Sequence, residues 1–277
     1  MRLPVECPGF ALSTLSSPVM GVGQIEAAAR LADLSGIDLD LRSGYRLWRL
    51  GKFLPHLAET PYPAVTIWLP PHADRLRQVA VHVEQVPDDS SRPTVIVDME
   101  PCPGPSIASN GLKQAIALHR EYAGIGRIAL AVHPRNPDGG RAHLSQLAAM
   151  RIAAEEWDFD LALDLSGQVD WLWEAEAAVY RMMPRLRIIR LTFPLPRFDA
   201  HVRTRMTQRV VAAAVDAGFS GLISIVVPLP PWRWWDTGTL AARAVSAVER
   251  LEDRFSADYG FLRRQQPQRS PLHRHEI

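Results

Sequence analysis

Lysine is nearly missing from this 277-residue chain: Lys52 and Lys113 are the only two, so arginine supplies the rest of the 31 basic residues. Arginine forks onto carboxylate and phosphate. A GC-rich coding sequence produces the same bias, and most of these arginines fall on helical faces where simple solvation suffices. Cysteine is also scarce. With only Cys7 and Cys102, a disulfide scaffold and a four-thiolate zinc site are excluded, and a reducing compartment fits. An excess of one charge sign is lacking: 31 basic against 30 acidic groups give a net +1, which offers no global field for nucleic acid or an anionic membrane. No apolar run approaches the roughly 18 residues needed to cross a bilayer. Pro4, Glu6 and Pro8 interrupt any signal-peptide-like start. Hydrophobic residues make up 47% of the chain, too many for a disordered one, so the expectation is a soluble, cytoplasmic, globular protein.

Short β-like runs alternate with longer amphipathic segments along the chain. The strand candidates are Leu3–Cys7, Ile37–Arg42, Ala64–Leu69, Thr94–Glu100, Ile128–His133, Leu161–Asp164, Leu186–Phe193 and Leu222–Val227. The helix candidates are Gln24–Ser35, Leu47–Ala58, Asp74–Val86, Gly111–Tyr122, His143–Trp157, Leu172–Met182, Val202–Ala217 and Thr239–Phe255. Strict alternation implies a parallel sheet, because parallel neighbours need a crossover. Eight such units in about 250 residues have the size of a closed (β/α)8 TIM barrel. An open doubly wound sheet is the competing arrangement, but no Gly-x-Gly-x-x-Gly turn follows the first strand. Gly36, Gly126 and Gly221 precede strands, where a left-handed backbone is wanted. The domain expectation is one barrel over residues 1–254 and a short, basic, mobile tail over 255–277; His273 and His275 belong to that tail.

Strand parity separates the two faces of the sheet. One parity is aliphatic, as in Ile37, Leu39 and Leu41, or Ile128, Leu130 and Val132. It predicts the face beneath the helices. The other parity holds Glu6, Asp38, Asp40, Arg42, Thr66, Trp68, Asp98, Glu100, Ala129, Ala131, His133, Ala162, Asp164, Arg190, Thr192, Ser224 and Val226. Its ionisable members gather at the C-terminal ends of the strands, where such barrels keep their sites. Carboxylates collected in a cavity are costly unless a cation, a proton or arginines compensate them. Trp68, Trp171, Trp173, Trp232, Trp234 and Trp235 fall at or just after strand ends, placing six tryptophans around one mouth to stack on a sugar ring, to act as a lid, or to pack against a partner.

Several strings resemble the xylose isomerase-like barrels, a superfamily of sugar-phosphate isomerases and epimerases that also includes endonuclease IV-type nucleases. Ile25–Leu41 is similar to the first helix and second strand of that family. Leu161-Ala-Leu-Asp-Leu-Ser-Gly167 resembles its strand-six motif, and Gly218-Phe-Ser-Gly-Leu-Ile-Ser-Ile-Val226 its strand-eight motif. Leu186–Phe193 stands in phase with its strand seven. The resemblance implies a divalent metal held by Glu, Asp, His and Glu on strands five to eight. Carried over position by position, those ligands fall on His133, Asp164, Arg190 and Val226, and the histidine closing the strand-six motif falls on Gln168. Only Asp164 is kept. Arginine has no lone pair to donate and valine cannot ligate. Two outcomes stay open: a shifted Mn, Mg or Zn site built from Asp98, Glu100, His133 and Asp164, or Arg190 replacing the metal charge by pairing with Asp164 and a neighbouring carboxylate.

The activity implied by the resemblance is isomerisation or epimerisation of a sugar or sugar phosphate, with proton transfer next to a carbonyl. Glu100, Asp164, His133 and Arg190 are the catalytic candidates. Glu6, Asp40, Arg42, Trp68, Trp171 and Trp232 are the candidates for substrate contact. The alternative is a non-catalytic barrel used for ligand binding or assembly through its tryptophan-rich mouth. Near-zero net charge and the missing ligands argue against a nuclease. The implied partner is a small carbohydrate, with no nucleic acid and no membrane, and a homo-oligomer is left open.

Overall fold

The computed structural model describes residues 9–42, 64–70, 73–84, 92–99, 110–122, 125–132, 141–166, 172–193 and 200–259. Eight strands close into one barrel in sequence order, and every neighbouring pair is parallel. The strands are β1 (Gly9–Ser13), β2 (Gly36–Asp40), β3 (Ala64–Leu69), β4 (Thr94–Asp98), β5 (Ile128–Val132), β6 (Asp160–Leu165), β7 (Leu186–Thr192) and β8 (Leu222–Val226). The helices among the described residues are α1 (Val22–Leu31), α2 (Ala73–Glu84), α3 (Asn110–Glu121), α4 (Arg141–Trp157), α5 (Leu172–Met182), α6 (Ala200–Asp216) and α7 (Thr237–Tyr259). The fold is therefore the (β/α)8 barrel that the alternation predicts. The helix expected over Leu47–Ala58 and the tail beyond Tyr259 lie outside the described residues.

The first strand is not where the sequence pattern placed it. β1 is Gly9–Ser13, not Leu3–Cys7. A barrel strand has a hydrogen-bonded neighbour on each edge, and β1 pairs with both β2 and β8. Pro4 has no N–H to give, so a barrel strand over Leu3–Cys7 would leave a gap in the ladder. Gly9 opens the true strand by donating its N–H to the Gly221 carbonyl at 3.0 Å. A short 3-10 turn, Thr14–Ser16, follows β1 and carries buried Thr14 and Ser16 towards the barrel mouth.

Two apolar layers result from the alternation of side chains. Ile37, Leu39, Ile67, Val95, Leu130, Leu163, Ile189 and Ile225 face outwards and pack with the helices in one large core. Burial there contributes roughly 1.5–3 kcal/mol per large side chain. Inside the barrel, Trp68 packs with Ile96, Ala129, Ala131, Ala162 and Ile188. The three alanines supply the room that one indole fills. Trp68 has no exposed surface, so it is interior filling and not part of a surface aromatic ring.

Two glycine positions correct the sequence reading. Left-handed backbone occurs at Gly126 (φ 77°) and Gly218 (φ 81°), and at Asp33 (φ 51°) after α1, but not at Gly36 or Gly221. Gly221 is required for a different reason: a Cβ there would lie 2.0 Å from the Arg187 carbonyl oxygen.

Candidate functional site

The inward charges meet at the C-terminal half of the barrel. Asp38 and Asp40 project from β2, Asp164 from β6 and Arg190 from β7, while Arg42 and Asp98 stand at the ends of β2 and β4. The register sets Asp164 beside Arg190, and Arg190 beside Ser224 of β8. Arg190 and Asp38 have no exposed surface, Asp40 has 1% and Asp164 has 5%. At such depth each charge needs a partner.

Arg190 supplies most of the pairing. Its Nε donates to Asp38 Oδ2 at 2.9 Å and its Nη1 to Asp40 Oδ2 at 2.6 Å. Nη1 also lies 3.5 Å from Asp164 Oδ2. Its Nη2 sits 2.8 Å from Asp38 Oδ2 without meeting hydrogen-bond geometry, so that approach is a charge contact only. Thr66 Oγ1 donates to Asp38 Oδ1 at 2.5 Å, and Ser224 Oγ donates to Asp38 Oδ2. The guanidinium stacks on Trp68, with its Cζ 3.6 Å from the ring centroid. Trp68 Nε1 is buried beside it with no hydrogen-bond partner.

Arg42 forms the layer above. Its Nε and Nη2 donate to Asp40 Oδ2 at 3.0 and 2.6 Å, and Nη2 also donates to Asp164 Oδ2 at 2.8 Å. Asp98 Oδ2 lies 3.5 Å from Arg42 Nη1. The Asp40 backbone N–H is anchored to Thr14 Oγ1 at 2.9 Å, which ties the network to the turn after β1. Ser166 N–H donates to Asp164 Oδ1 at 2.9 Å and fixes that carboxylate from the end of β6. Exposure rises towards the mouth: the side chain of Arg42 is 18% exposed and that of Asp98 25%. These are the charged groups of the cluster that a ligand reaches first.

The electrostatics agree with this order. Burial works against the Asp40 charge, yet Arg190 and then Arg42 outweigh it and hold the carboxyl below its usual range, while Asp164 opposes them. Burial likewise works against the Arg42 charge, and Asp164, Asp40 and Asp98 outweigh it, so the guanidinium is held charged above its usual range. Both arginines are permanent cations.

Of the sequence candidates, the barrel brings together Asp40, Arg42, Asp98, Asp164 and Arg190, with Trp68 beneath them. Glu6, Glu100, His133 and Trp171 lie outside the described residues, and so does the side chain of Trp173. Trp232 and Trp235 are 79% and 63% exposed on the connection between β8 and α7. Trp234 anchors that connection: its Nε1 donates to the Leu229 carbonyl at 2.9 Å, and its own carbonyl accepts from Ser17 Oγ at 2.8 Å. Inward parity is the sequence signal that marks Asp38, Thr66 and Ser224. Thr14 directly follows β1, beyond the reach of a first strand read over Leu3–Cys7.

The donor set implied by the resemblance does not fit this geometry. The strand-seven position is a guanidinium, and the Asp164 oxygen nearest to it is already shared between Arg42 and Arg190. Among the described residues, no group of three or more His, Cys, Asp or Glu is arranged to hold a metal ion.

Comparison with solved structures places the architecture. A xylose isomerase domain-containing protein from Salmonella typhimurium superposes with a TM-score of 0.57 at 11% identity, over 91% of this chain and 100% of that one. The architecture shared with it is the (β/α)8 barrel. An L-ribulose 3-epimerase gives a TM-score of 0.56 at 13% identity, over 94% of this chain and all of that one. A fusion of a xylose isomerase-like barrel with a 4-hydroxyphenylpyruvate dioxygenase gives 0.57 at 11% identity; 93% of this chain spans only 44% of that protein. No protein-family profile matches the sequence, and no curated protein matches it. The resemblance read from the strings at Ile25–Leu41 and Leu161–Gly167 thus holds for the fold.

Proposed function

We propose that the barrel mouth takes a small, uncharged carbohydrate bearing a carbonyl group, and that it supports isomerase or epimerase-like proton transfer next to that carbonyl. The observation that carries this reading is Arg42: a permanent cation, part-exposed at the mouth and oriented by Asp40, Asp164 and Asp98. A guanidinium fixed in advance opposite a carbonyl oxygen stabilises the negative charge that develops there without reorganising. A carboxylate removes the proton from the carbon next to the carbonyl, and the C–H electron pair shifts to give an enediolate whose oxygen charge lies against Arg42. The proton then returns to the other face of the same carbon, or to the former carbonyl carbon once the adjacent hydroxyl proton has passed to the former carbonyl oxygen.

Asp98, the most exposed carboxylate of the cluster, suits the base role. Asp164 is 3% exposed at its side chain and committed to Arg42, which suits orientation instead. Glu100, two positions beyond Asp98 and of the same parity, is the other candidate base, and His133 a candidate acid. Arg190 is too deep to touch a ligand. The exposed tryptophans, Trp232 and Trp235, offer flat faces for a sugar ring beside the mouth.

Asp236 caps the N-terminus of α7, accepting from Thr239 N–H at 2.8 Å and Thr239 Oγ1 at 2.6 Å, and lies 3.5 Å from Arg233 Nη1. That helix end therefore offers no free anion site, which favours a neutral sugar.

A second reading is binding without turnover. It is favoured by the complete burial of Asp38 and Arg190, which act on structure and not on a ligand. One experiment separates the two. The protein is incubated in D2O with a panel of ketopentoses and ketohexoses, with proton NMR following exchange and thermal shift following binding. Exchange of the proton next to the carbonyl, lost in an Arg42→Met variant that still folds, supports the enzyme. Stabilisation without exchange supports the binding barrel. Neither effect across the panel overturns the carbohydrate reading.

A further inference from the structure

We infer that Arg190 is a permanent cation built into the barrel in place of a divalent metal, and that the native chain therefore needs no metal ion. The convergence of oxygens carries the inference. Asp38 Oδ2, Asp40 Oδ2 and Asp164 Oδ2 lie 2.8, 2.6 and 3.5 Å from the nitrogens of one guanidinium. These carboxylates come from two strands, β2 and β6, that are not neighbours in the barrel. A shared cation offsets the mutual repulsion of three acidic side chains meeting at such depth, where water cannot screen them.

Asp38, Asp40, Asp98 and Asp164 set against Arg42 and Arg190 leave the cluster with two net negative charges, so the native cations are not in surplus. The remaining wall is selective for the native group. A flat, delocalised guanidinium stacks on the Trp68 face at 3.6 Å, where a hydrated ion would meet an apolar ring. Because arginine stays charged at every accessible pH, the cation cannot be lost to chelators or to titration.

This inference is independent of the carbohydrate reading, since its readouts are metal content and melting temperature. The full chain, purified without a polyhistidine tag, is assayed for metals and melted with EDTA or with millimolar Mn2+. The expected result is no stoichiometric metal and a melting temperature that neither addition moves. The Arg190→Ser variant, which lacks the cation, is expected to melt lower than the native chain, and Arg190→Lys, which keeps the charge, to recover part of the loss. Stoichiometric metal in the native chain, destabilisation of it by EDTA, or a folded Arg190→Ser variant that melts with the native chain would overturn the inference. If Arg190→Ser does not fold, the native-chain measurements and Arg190→Lys still decide.

Discussion

Replacing Asp38 with asparagine removes one negative charge from the deepest point of the network and changes almost nothing in volume. In the native barrel this carboxylate accepts from Thr66, Ser224 and Arg190 Nε, and also faces Arg190 Nη2. An amide presents two N–H donors where only donors already point, so at least one hydroxyl must turn and one guanidinium contact is lost. Breaking a buried ion pair from one side costs about 3–5 kcal/mol. Arg190 keeps Asp40 at 2.6 Å and Asp164 at 3.5 Å, so its charge is not stranded and the lower end applies. A loss of about 3 kcal/mol corresponds to roughly 6–12 °C in melting temperature for a domain of this size. The assay is denaturant and thermal unfolding followed by far-UV circular dichroism on the parent, Asp38→Asn, Arg190→Met and the double variant. If the two side chains act on one another, the double variant is less destabilised than the sum of the singles by about 0.5–3 kcal/mol. An Asp38→Asn variant that melts with the parent, or strict additivity in the cycle, refutes the reasoning.

Two further outcomes follow from the same geometry. Asp40 has its carboxyl held below the usual 3.8, so beneath that pH the unfolded chain takes up a proton that the folded one refuses. Stability is then lost as the pH falls from about 4 through the depressed folded value; denaturant unfolding at pH 7, 4 and 3 is expected to show a shallower acid decline for Asp40→Asn than for the parent, and identical declines would count against the pairing. Gly221→Ala drives a Cβ against the Arg187 carbonyl at 2.0 Å and is expected to lower the yield of folded protein or cost on the order of 3 kcal/mol in unfolding, whereas Gly23→Ala, with nothing within 4 Å, is expected to be tolerated.

The faces of the barrel were legible in the sequence because a strand's period of two leaves little choice: Leu39 and Asp40 cannot both face the helices. Parity alone separated Ile189 and Leu191 from Arg190, and Leu161 and Leu163 from Ala162 and Asp164, as the structure has them. The start of the barrel was not legible by apolar content, since Leu3–Cys7 looks as strand-like as Gly9–Ser13. The missing N–H at Pro4 argues against Leu3–Cys7, but only once both edges are known to be paired. The pairing inside the site was hidden for another reason. Arg190 meets partners 150 and 152 residues away in the chain, and which of several inward carboxylates it meets depends on register and tilt. The burial of Trp68 was hidden in the same way, although Ala129, Ala131 and Ala162 on strands across the barrel record the space it needs.

The central claim is that Arg190 lies charged and fully enclosed among carboxylates inside the barrel. Hydrogen exchange at the arginine Nε–H groups, read by nitrogen-15 NMR at neutral pH, tests it most directly. One Nε–H signal, absent from the Arg190→Lys variant, is expected to persist in D2O long after those of the surface arginines have vanished. An Arg190 Nε–H that exchanges as fast as theirs would contradict the account.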